Sequence, residues 1–212
     1  MSSWEREYTG EVLSTAEYNR LRSIYEPLAE SVRALVDATI RTTEDPETLA
    51  AVKKDIDAAV QRLRRNQIDG TFGETLIANG ETANWGNAVR GIRNALAPPV
   101  FSHMDEAGRV SADFHLGAAY EGPPGHVHGG VSAMILDQLL GEAACPDLVP
   151  RFSGSITYRY VHPAALGTLH AEAFQTHTDG AKTYCSAYIA DAEGAILVEA
   201  EGVFIMPRWL RN

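Results

Sequence analysis

The chain has little of several features that mark specialised classes of protein. Its 212 residues include only two cysteines, Cys145 and Cys185, which lie in unlike contexts. Because small secreted domains depend on disulfide frameworks, this usage favours a cytoplasmic protein with free thiols. No apolar run reaches the roughly 18 residues of a transmembrane helix, and the first residues lack the basic and apolar regions of a secretory signal. The sequence therefore predicts a cytoplasmic protein with no membrane span.

Positive charge is also scarce, and it is unevenly distributed. The net charge of −10 argues against general nucleic-acid binding, although a few local cations would suffice for an anionic ligand. Residues 1–96 hold 12 Lys and Arg against 15 Asp and Glu, whereas residues 97–212 hold 6 against 13, with all seven histidines. We predict a helical N-terminal extension over 1–96 and a second domain over 97–212 that carries the polar chemistry.

The N-terminal extension shows two helical patterns. Residues 14–42 have apolar side chains at helical spacing behind a Ser14–Glu17 capping box, with Pro27 expected to kink the helix or to divide it. A second helix begins at Asp45-Pro46-Glu47, a capping acid followed by proline at the first helical position, and ends before Asp69-Gly70. Together they predict a helical hairpin arm that serves either packing and dimerisation or the docking of a partner.

The period of the apolar residues changes along the rest of the chain. Residues 70–100 are rich in glycine and predict a connection, with a short helix over Trp85–Leu96. From residue 100 the period is two, and the predicted strands are Val100–Met104, Arg109–Leu116, Gly154–Val161, Thr168–Thr176, Lys182–Ala190 and Ile196–Met206. Short turns make neighbouring strands antiparallel. One apolar helix between the second and third strands completes an α+β layout.

That helix follows the most informative stretch of the chain. Two prolines and a glycine at residues 123–125 predict a loop, and His128-Gly129-Gly130 then leads into a run that is apolar nearly all round. Such a helix belongs inside a fold, yet it carries Asp137 among its hydrophobic residues. A buried acid and an exposed helix N-terminus are two ingredients of a hydrolytic site.

These motifs resemble the hotdog-fold thioesterases, in particular the PaaI-like acyl-CoA thioesterases. The resemblance covers about residues 98–207 and rests on the segment 120–130, on Asp137 nine residues after His128, and on the aromatic strand Ser155–Pro163. It implies a curved antiparallel sheet wrapped around one central helix. It also implies subunits that pair edge to edge, with active sites at their interface, and hence a homodimer or a dimer of dimers.

The resemblance also implies roles for individual residues. Catalytic roles fall to Asp137, Gly129, His128 and Ser153, and substrate contacts to Gly130, His126 and Tyr158. A backbone N–H of Gly129 or Gly130 would hold the developing oxyanion, and Asp137, usually contributed by the other subunit, would act as general base or as nucleophile. Ser153 would orient the water or the acid. Some relatives have an Asn upstream of the His-Gly-Gly motif, but the equivalent spacing here falls on Gly122.

Simpler interpretations of these residues remain open. Asp137 could be a structural acid, His128 could serve only its turn, and Ser153 could merely begin a strand. Alternate histidines at His126 and His128 invite a metal site, but a cupin-type site would need a Glu shortly afterwards, and Val131 and Ser132 stand there. No Gly-Xaa-Ser-Xaa-Gly elbow supports an α/β serine hydrolase. No cofactor is expected beyond a coenzyme A ester as substrate.

The predicted function is hydrolysis of an acyl-CoA thioester to a free acid and coenzyme A. The alternative is a non-catalytic acyl-CoA binding or sensing module; a hotdog dehydratase lacks the expected His/Asp placement. Some of the six cations in the second domain would meet the nucleotide phosphates: Arg109, Arg151, Arg159, Lys182, Arg208 and Arg211. Candidate walls of the acyl pocket are Tyr158, Tyr184, Tyr188, Met134 and Leu116.

Overall fold

The computed structural model describes residues 12–78 and 82–211, and the chain divides into two compact units, Met1–Ala95 and Leu96–Asn212. The first unit contains α1 (Thr15–Arg41), α2 (Pro46–Leu63), β1 (Thr75–Leu76) and β2 (Thr82–Ala83). The second contains β3 (His103–Met104), β4 (Val110–Leu116), α3 (Gly129–Ala143), β5 (Phe152–Tyr160), β6 (Gly167–Asp179), β7 (Lys182–Ala190) and β8 (Ile196–Ile205), with short 3-10 turns at Ala118–Tyr120 and Arg208–Leu210. No helix in the described ranges is long and apolar enough to cross a membrane.

Helix α1 begins as its capping pattern predicts. The Ser14 hydroxyl accepts a hydrogen bond from the Glu17 N–H at 3.1 Å. Pro27 does not divide the helix, which continues without interruption to Arg41. A proline removes one hydrogen bond to the preceding turn, and a helix of 27 residues supplies enough others to continue through it. Ala29 is its one buried residue.

Helix α2 also begins as predicted, because Asp45 Oδ1 accepts from the N–H groups of Glu47 at 2.9 Å and Thr48 at 3.0 Å. No residue of α2 is buried. The prediction of a helical hairpin is wrong, since α1 and α2, both fully described, do not pack along each other. The N-terminal half of α1 is instead held by a small aromatic core, whereas four large apolar side chains of the helix stay exposed: Ile24, Leu28, Val32 and Ile40.

That aromatic core explains a second difference from the sequence prediction. Trp85–Leu96 forms a series of turns, not a helix. The Asn87 side chain accepts from the N–H groups of residues 89 and 90 at 2.8 and 3.0 Å, which stabilises a tight turn in place of a helical ladder. Trp85 is 2% exposed and packs with Ile77 and Ala83.

The second unit is a six-stranded sheet wrapped around α3. Its strand order is β3-β4-β6-β7-β8-β5, and every neighbouring pair is antiparallel. Strands β4 to β8 all pack against α3, and β5 lies at one edge of the sheet. The first predicted strand shrinks to His103–Met104, and the other strand ends move by a few residues. The predicted α+β fold, a sheet around one helix with a helical N-terminal part, is confirmed.

The core lies between α3 and the inner face of this sheet. Ile135, Leu136, Leu139 and Leu140 of α3 are fully buried. A Cβ on Gly202 would lie 2.7 Å from the Phe204 ring and 3.4 Å from a Leu140 methyl, so a glycine in β8 allows the helix to approach the sheet closely. Both cysteines are free, and burial, with the nearby Cys145 thiol, raises the pKa of Cys185 to about 12. Cys185 is therefore a packing residue.

Candidate active site

The turn that precedes α3 is held by backbone hydrogen bonds and by one close contact. The His128 N–H donates to the Tyr120 carbonyl at 2.9 Å, and the Gly122 N–H donates to the His126 carbonyl at 2.9 Å. A Cβ on Gly122 would lie 2.7 Å from the His128 Cα atom. No side chain fits at residue 122 unless this backbone moves, so the position is closed to any residue larger than glycine.

His128 is the N-cap of α3, and its role in the cap decides which amide stays free. Its Nδ1 atom accepts a hydrogen bond from the Gly130 N–H at 3.0 Å, so the proton of the neutral ring lies on Nε2. The Gly129 N–H donates to no acceptor within residues 12–78 and 82–211. The sequence predicted that the N–H of Gly129 or of Gly130 would hold the oxyanion. The Gly130 N–H is already hydrogen-bonded to His128, whereas the Gly129 N–H is free to bind it.

Tyr160 fixes the same helix end from the strand side, and sequence reasoning missed it. Its hydroxyl donates to the Gly129 carbonyl at 2.9 Å, and its ring would lie 3.2 Å from a Cβ at residue 129. The ring is 54% exposed, so it forms an open wall beside the free amide. Tyr160 belongs to the aromatic segment Ser155–Pro163, on which the resemblance rests, but the sequence pattern does not show that its side chain contacts Gly129.

The acid lies elsewhere along the helix. Asp137 is exposed, and the expectation of a buried acid is wrong for the single chain. The reason is that Asp137 lies on the side of α3 next to β5, and the sheet of the described chain ends at β5. No further strand covers the carboxylate. The Ser153 hydroxyl donates to Asp137 Oδ1 at 3.0 Å, so the structure brings these two predicted site residues together.

Tyr158 lies beside this pair on the inner face of β5. Partial burial, together with the negative charge of Asp137, raises the pKa of Tyr158 to about 12. Its hydroxyl therefore keeps its proton at any physiological pH and is a hydrogen-bond donor. The other tyrosines proposed as pocket walls, Tyr184 and Tyr188, lie on the outer face of the sheet, and Leu116 is fully buried in the core. Those three wall assignments are wrong.

His126 serves the loop before the helix. Its Nδ1 atom donates to the Pro124 carbonyl at 2.8 Å, which leaves Nε2 as the acceptor. Because the Nδ1 atoms of His126 and His128 both bind backbone groups, neither of these atoms is available to a shared metal. Within the described residues, no group of three or more His, Cys, Asp and Glu side chains is arranged to hold a metal ion.

Two half-sites therefore exist on one chain. The donor half-site comprises Gly129, His128 and Tyr160, and the acid half-site comprises Asp137, Ser153 and Tyr158. Eight residues of helix separate Gly129 from Asp137, which is a rise of about 12 Å. A single thioester carbonyl cannot contact both groups at that separation. The chain alone does not bring its free amide and its acid onto the same reacting carbon.

Most of the candidate cations for phosphate contacts are already engaged. Arg109 pairs with Glu172 at 2.6 Å, Arg151 with Asp147 at 2.6 Å, and Arg159 with Glu199. The Arg211 Nε atom donates to the Met206 carbonyl at 2.8 Å. Lys182 and Arg208 make no ion pair within the part of the chain that the structure describes.

An antiparallel sheet wrapped around one central helix places the second unit in the hotdog class of α+β folds. The chain is similar to the crystal structure of a thioesterase superfamily protein, with 31% identity over 85% of this chain and 90% of that chain, and a TM-score of 0.78. By this relationship, the chain belongs to the thioesterase superfamily. The resemblance noted in the sequence is confirmed at this level.

More distant similarities are confined to about half of the chain. The PaaI protein of the Escherichia coli phenylacetic acid degradation operon is 16% identical over 51% of this chain and 79% of its own, with a TM-score of 0.48. A Streptococcus mutans protein bound to acetyl CoA is 16% identical over 51% of this chain and 88% of its own, also with a TM-score of 0.48. No family model and no curated protein matches the sequence.

Proposed function

We propose that this protein is an acyl-CoA thioesterase, which hydrolyses a thioester to a free acid and coenzyme A. The observation that carries the proposal is the pair of half-sites: an unengaged Gly129 N–H at a helix N-terminus and an exposed Asp137 hydrogen-bonded to Ser153. One half-site suits a developing oxyanion, and the other suits a nucleophilic oxygen. Membership of the thioesterase superfamily supports this combination over other acyl-transfer chemistry.

A second copy of the chain would complete the site. Strand β5 lies at the edge of the sheet, and most of its residues are exposed on both faces. If two copies pair their β5 strands antiparallel, the Ser153 end of one strand lies beside the Tyr160 end of the other. The acid half-site of one copy then meets the donor half-site of its partner. The proposed unit is a homodimer or a dimer of dimers with shared sites.

The proposed reaction needs only groups of this chain and water. The Gly129 N–H, reinforced by the α3 dipole, holds the carbonyl oxygen as it gains negative charge. Asp137 of the partner either removes a proton from an attacking water or attacks the carbonyl itself, forming an anhydride that water then hydrolyses. In both routes the C–S bond breaks and the sulfur leaves with the electron pair. In the general-base route, the proton that Asp137 took from water passes to the thiolate, and in the anhydride route the thiolate takes its proton from the water that hydrolyses the anhydride. Ser153 orients the carboxylate, and Tyr158 donates to the acyl or carboxyl oxygen.

The nucleotide end of coenzyme A needs cations that are not already paired. Lys182 lies opposite Ile205 in the sheet, and Arg208 follows Ile205 by three residues. Ile205 also lies opposite Phe152, the neighbour of Ser153 in sequence. The two unpaired cations therefore lie at the end of the sheet where the acid half-site begins, and we assign the phosphate contacts to them.

The test of the activity is thiol release from short, medium, long and aryl acyl-CoA esters. We expect one class of ester to turn over, and Asp137→Asn to lower kcat/KM by about 10²–10⁴-fold without a change in Tm. Glu106→Gln, which neutralises an exposed acid in the β3–β4 turn, is the matched control and should retain full activity. Absence of thiol release, with a rise in Tm on adding a CoA ester, would instead support a non-catalytic binding module.

The shared site has its own test, which is complementation between two inactive variants. Asp137→Asn removes the acid. Gly129→Val adds a side chain that has no space beside the Tyr160 ring, so it should disrupt the donor half-site. If each site takes its amide from one copy and its acid from the other, a mixed dimer has one intact site of two. Random mixing should then restore about one quarter of the wild-type activity. A site built within one chain would give no recovery, because every chain would carry a lesion in its own site.

A further inference from the structure

Helix α2 carries a narrow apolar stripe with no buried residue, in which Ile56 and Val60 are half-buried and the other three side chains are exposed. The stripe comprises Leu49, Val52, Ile56, Val60 and Leu63. No residue of the helix is buried, and the exposed fractions of Leu49, Val52 and Leu63 are 44%, 42% and 54%. At 3.6 residues per turn, the five side chains lie within about 80° of the helix surface. A stripe of that width suits one partner helix better than a broad core.

The α2 stripe is a palindrome about Ile56 in both spacing and residue type. Val52 and Val60 lie four residues on either side of Ile56, and Leu49 and Leu63 lie seven residues on either side. If two copies of α2 pair antiparallel on a two-fold axis at Ile56, Leu49 lies opposite Leu63 of the second copy and Val52 lies opposite Val60. Every layer of the contact is then apolar, and the symmetry generates each layer twice except for the Ile56 pair on the axis itself.

The charges at the two ends of α2 favour the same orientation. The first turn and its approach are acidic, with Glu44, Asp45 and Glu47, whereas the last turn and its exit are basic, with Arg62, Arg64 and Arg65. Antiparallel pairing places each acidic end beside a basic end, and the helix dipoles also oppose each other. Parallel pairing would place three acids beside three acids and three arginines beside three arginines, which is repulsive at both ends.

From these observations, we infer that α2 is a self-association surface, occupied by α2 of a second copy of the chain in antiparallel register with Ile56 at the two-fold axis. The contact uses a different unit from the β5 edge, and it stands whether or not the protein hydrolyses thioesters. It accounts for the exposed apolar residues of α2, because helices of this length gain most of their stability from packing an apolar face.

The decisive test is chemical cross-linking of variants of the full chain that each carry one added cysteine. Ile56→Cys places two thiols at the axis, and a short bismaleimide should convert most of the protein to a covalent dimer. Ala58→Cys is the matched control, because residue 58 is exposed and lies on the opposite side of the helix. The wild-type chain gives the background from Cys145 and Cys185. Cross-linking of Ile56→Cys no faster than that of Ala58→Cys would overturn the proposal.

Orientation is tested by mixing two further variants. Leu49→Cys or Leu63→Cys alone should not cross-link, because in antiparallel register identical residues are about 21 Å apart along the helix. The mixture of the two should cross-link through residues 49 and 63. Self-cross-linking of Leu49→Cys would indicate parallel pairing and would contradict the proposed register. Absence of any cross-link in the mixture would indicate that α2 does not pair with a second copy of itself, and would also overturn the proposal.

Sedimentation provides a measurement without new thiols. Ile56→Lys places two like charges at the axis and should either halve the mass of the assembly or raise its dissociation constant by at least about tenfold. Ala58→Lys adds the same charge on the opposite face and should change neither. Equal behaviour of the two variants would contradict self-association through the stripe. Thioesterase assays are unnecessary for this distinction, so the result does not depend on the proposed activity.

Discussion

The two faces of the six-stranded sheet are built on different physical principles. On the inner face, Val110 and Leu116 of β4 and Ile189 of β7 are fully buried against α3. On the outer face of the same strands, Asp113 and His115 are exposed, and the contacts are ion pairs such as that between Arg109 and Glu172. Packing in a dense core tolerates little change, whereas exposed ion pairs contribute little free energy. Changes on the two faces of one strand should therefore differ greatly in effect.

Strand β5 departs from this division, and the departure indicates where function lies. Its inner face carries Ser153, Tyr158 and Tyr160, which are polar or amphipathic and mostly exposed in the single chain. Ile156 and Tyr158 pack against the core, but no residue of β5 is buried in the single chain, so this inner face serves the core of its own subunit only in part. This is the strand on which both half-sites depend, and it is also the free edge that the proposed dimer would pair.

The largest contrast between the faces is expected for deletion of apolar side chains. Ile189→Ala removes a fully buried side chain from the inner face of β7 and should lower the free energy of unfolding by about 2–5 kcal/mol. Val203→Ala removes a half-buried side chain from the outer face and should cost less than about 1 kcal/mol. Urea denaturation at one protein concentration measures both, because association would otherwise change the apparent stability. Similar losses in the two variants would contradict the division.

The same division explains what the sequence could predict. Strands β4 and β7 alternate strictly, and α3 is apolar nearly all round, so their existence and type followed from the pattern. The pattern did not say which row of β7 faces inward, because tyrosines on one row and small apolar residues on the other are both compatible with a core. Tyr184 and Tyr188, predicted as candidate walls of the acyl pocket, lie on the outer face of the sheet.

The site itself was predictable in its residues but not in its geometry. A helix that is apolar all round does not reveal which side the sheet leaves open, so the exposure of Asp137 could not be foreseen. Nor could the sequence show that His128 engages the Gly130 amide, because that depends on a side-chain rotamer. The bond between Ser153 and Asp137 joins residues 16 positions apart, and it exists because β5 returns along α3.

A smaller effect is expected at the turn that begins α3. Gly122→Ala would place a Cβ 2.7 Å from the His128 backbone, so the turn must shift. We expect a loss of about 1–3 kcal/mol in stability and a fall in thioesterase activity. Gly141→Ala is the matched control, since its Cβ would lie at an ordinary 3.7 Å from the Phe204 ring and alanine favours the helix. Thermal unfolding should separate the two, and a stable, active Gly122→Ala would show that the turn is not tightly constrained.

The two faces of β5 allow a matched pair of serine variants. Ser153→Ala removes the 3.0 Å hydrogen bond to Asp137 and should lower kcat by about tenfold, the equivalent of one lost hydrogen bond of about 1.4 kcal/mol. Ser155→Ala changes the outer face, opposite Val203, and should leave kcat unchanged. Steady-state kinetics on the preferred ester provides the comparison. Equal activities would show that Ser153 is only a strand residue.

The smallest effect is expected on the outer face, at His170. Its Nδ1 and Nε2 atoms contact Asp113 at 2.7 Å and Glu172 at 3.3 Å. Partial burial lowers the pKa of His170, but hydrogen bonds to the two carboxylates outweigh it, and the net shift is upward. A raised folded pKa means that the stabilisation is fully present below about pH 6.5, the unfolded value, and is lost as pH rises through the folded value. The side chain is one-third exposed, so solvent screening keeps the effect below about 1 kcal/mol.

The measurement is urea denaturation at pH 6 and at pH 8.5. Wild-type protein should lose a small part of its stability between the two, and His170→Gln should lose less over the same interval. His115→Gln is the matched control, because His115 lies on the same face and, among the residues that the structure describes, its ring has a polar contact with the Thr168 hydroxyl, at 3.4 Å, and none with a carboxylate. If His170→Gln keeps the full difference, the pH dependence arises from other groups. If His170→Gln reduces the pH-dependent difference in the free energy of unfolding by more than about 1 kcal/mol, the ion pairs of the outer face contribute more than exposed pairs usually do. The contrast between the two faces must then be revised.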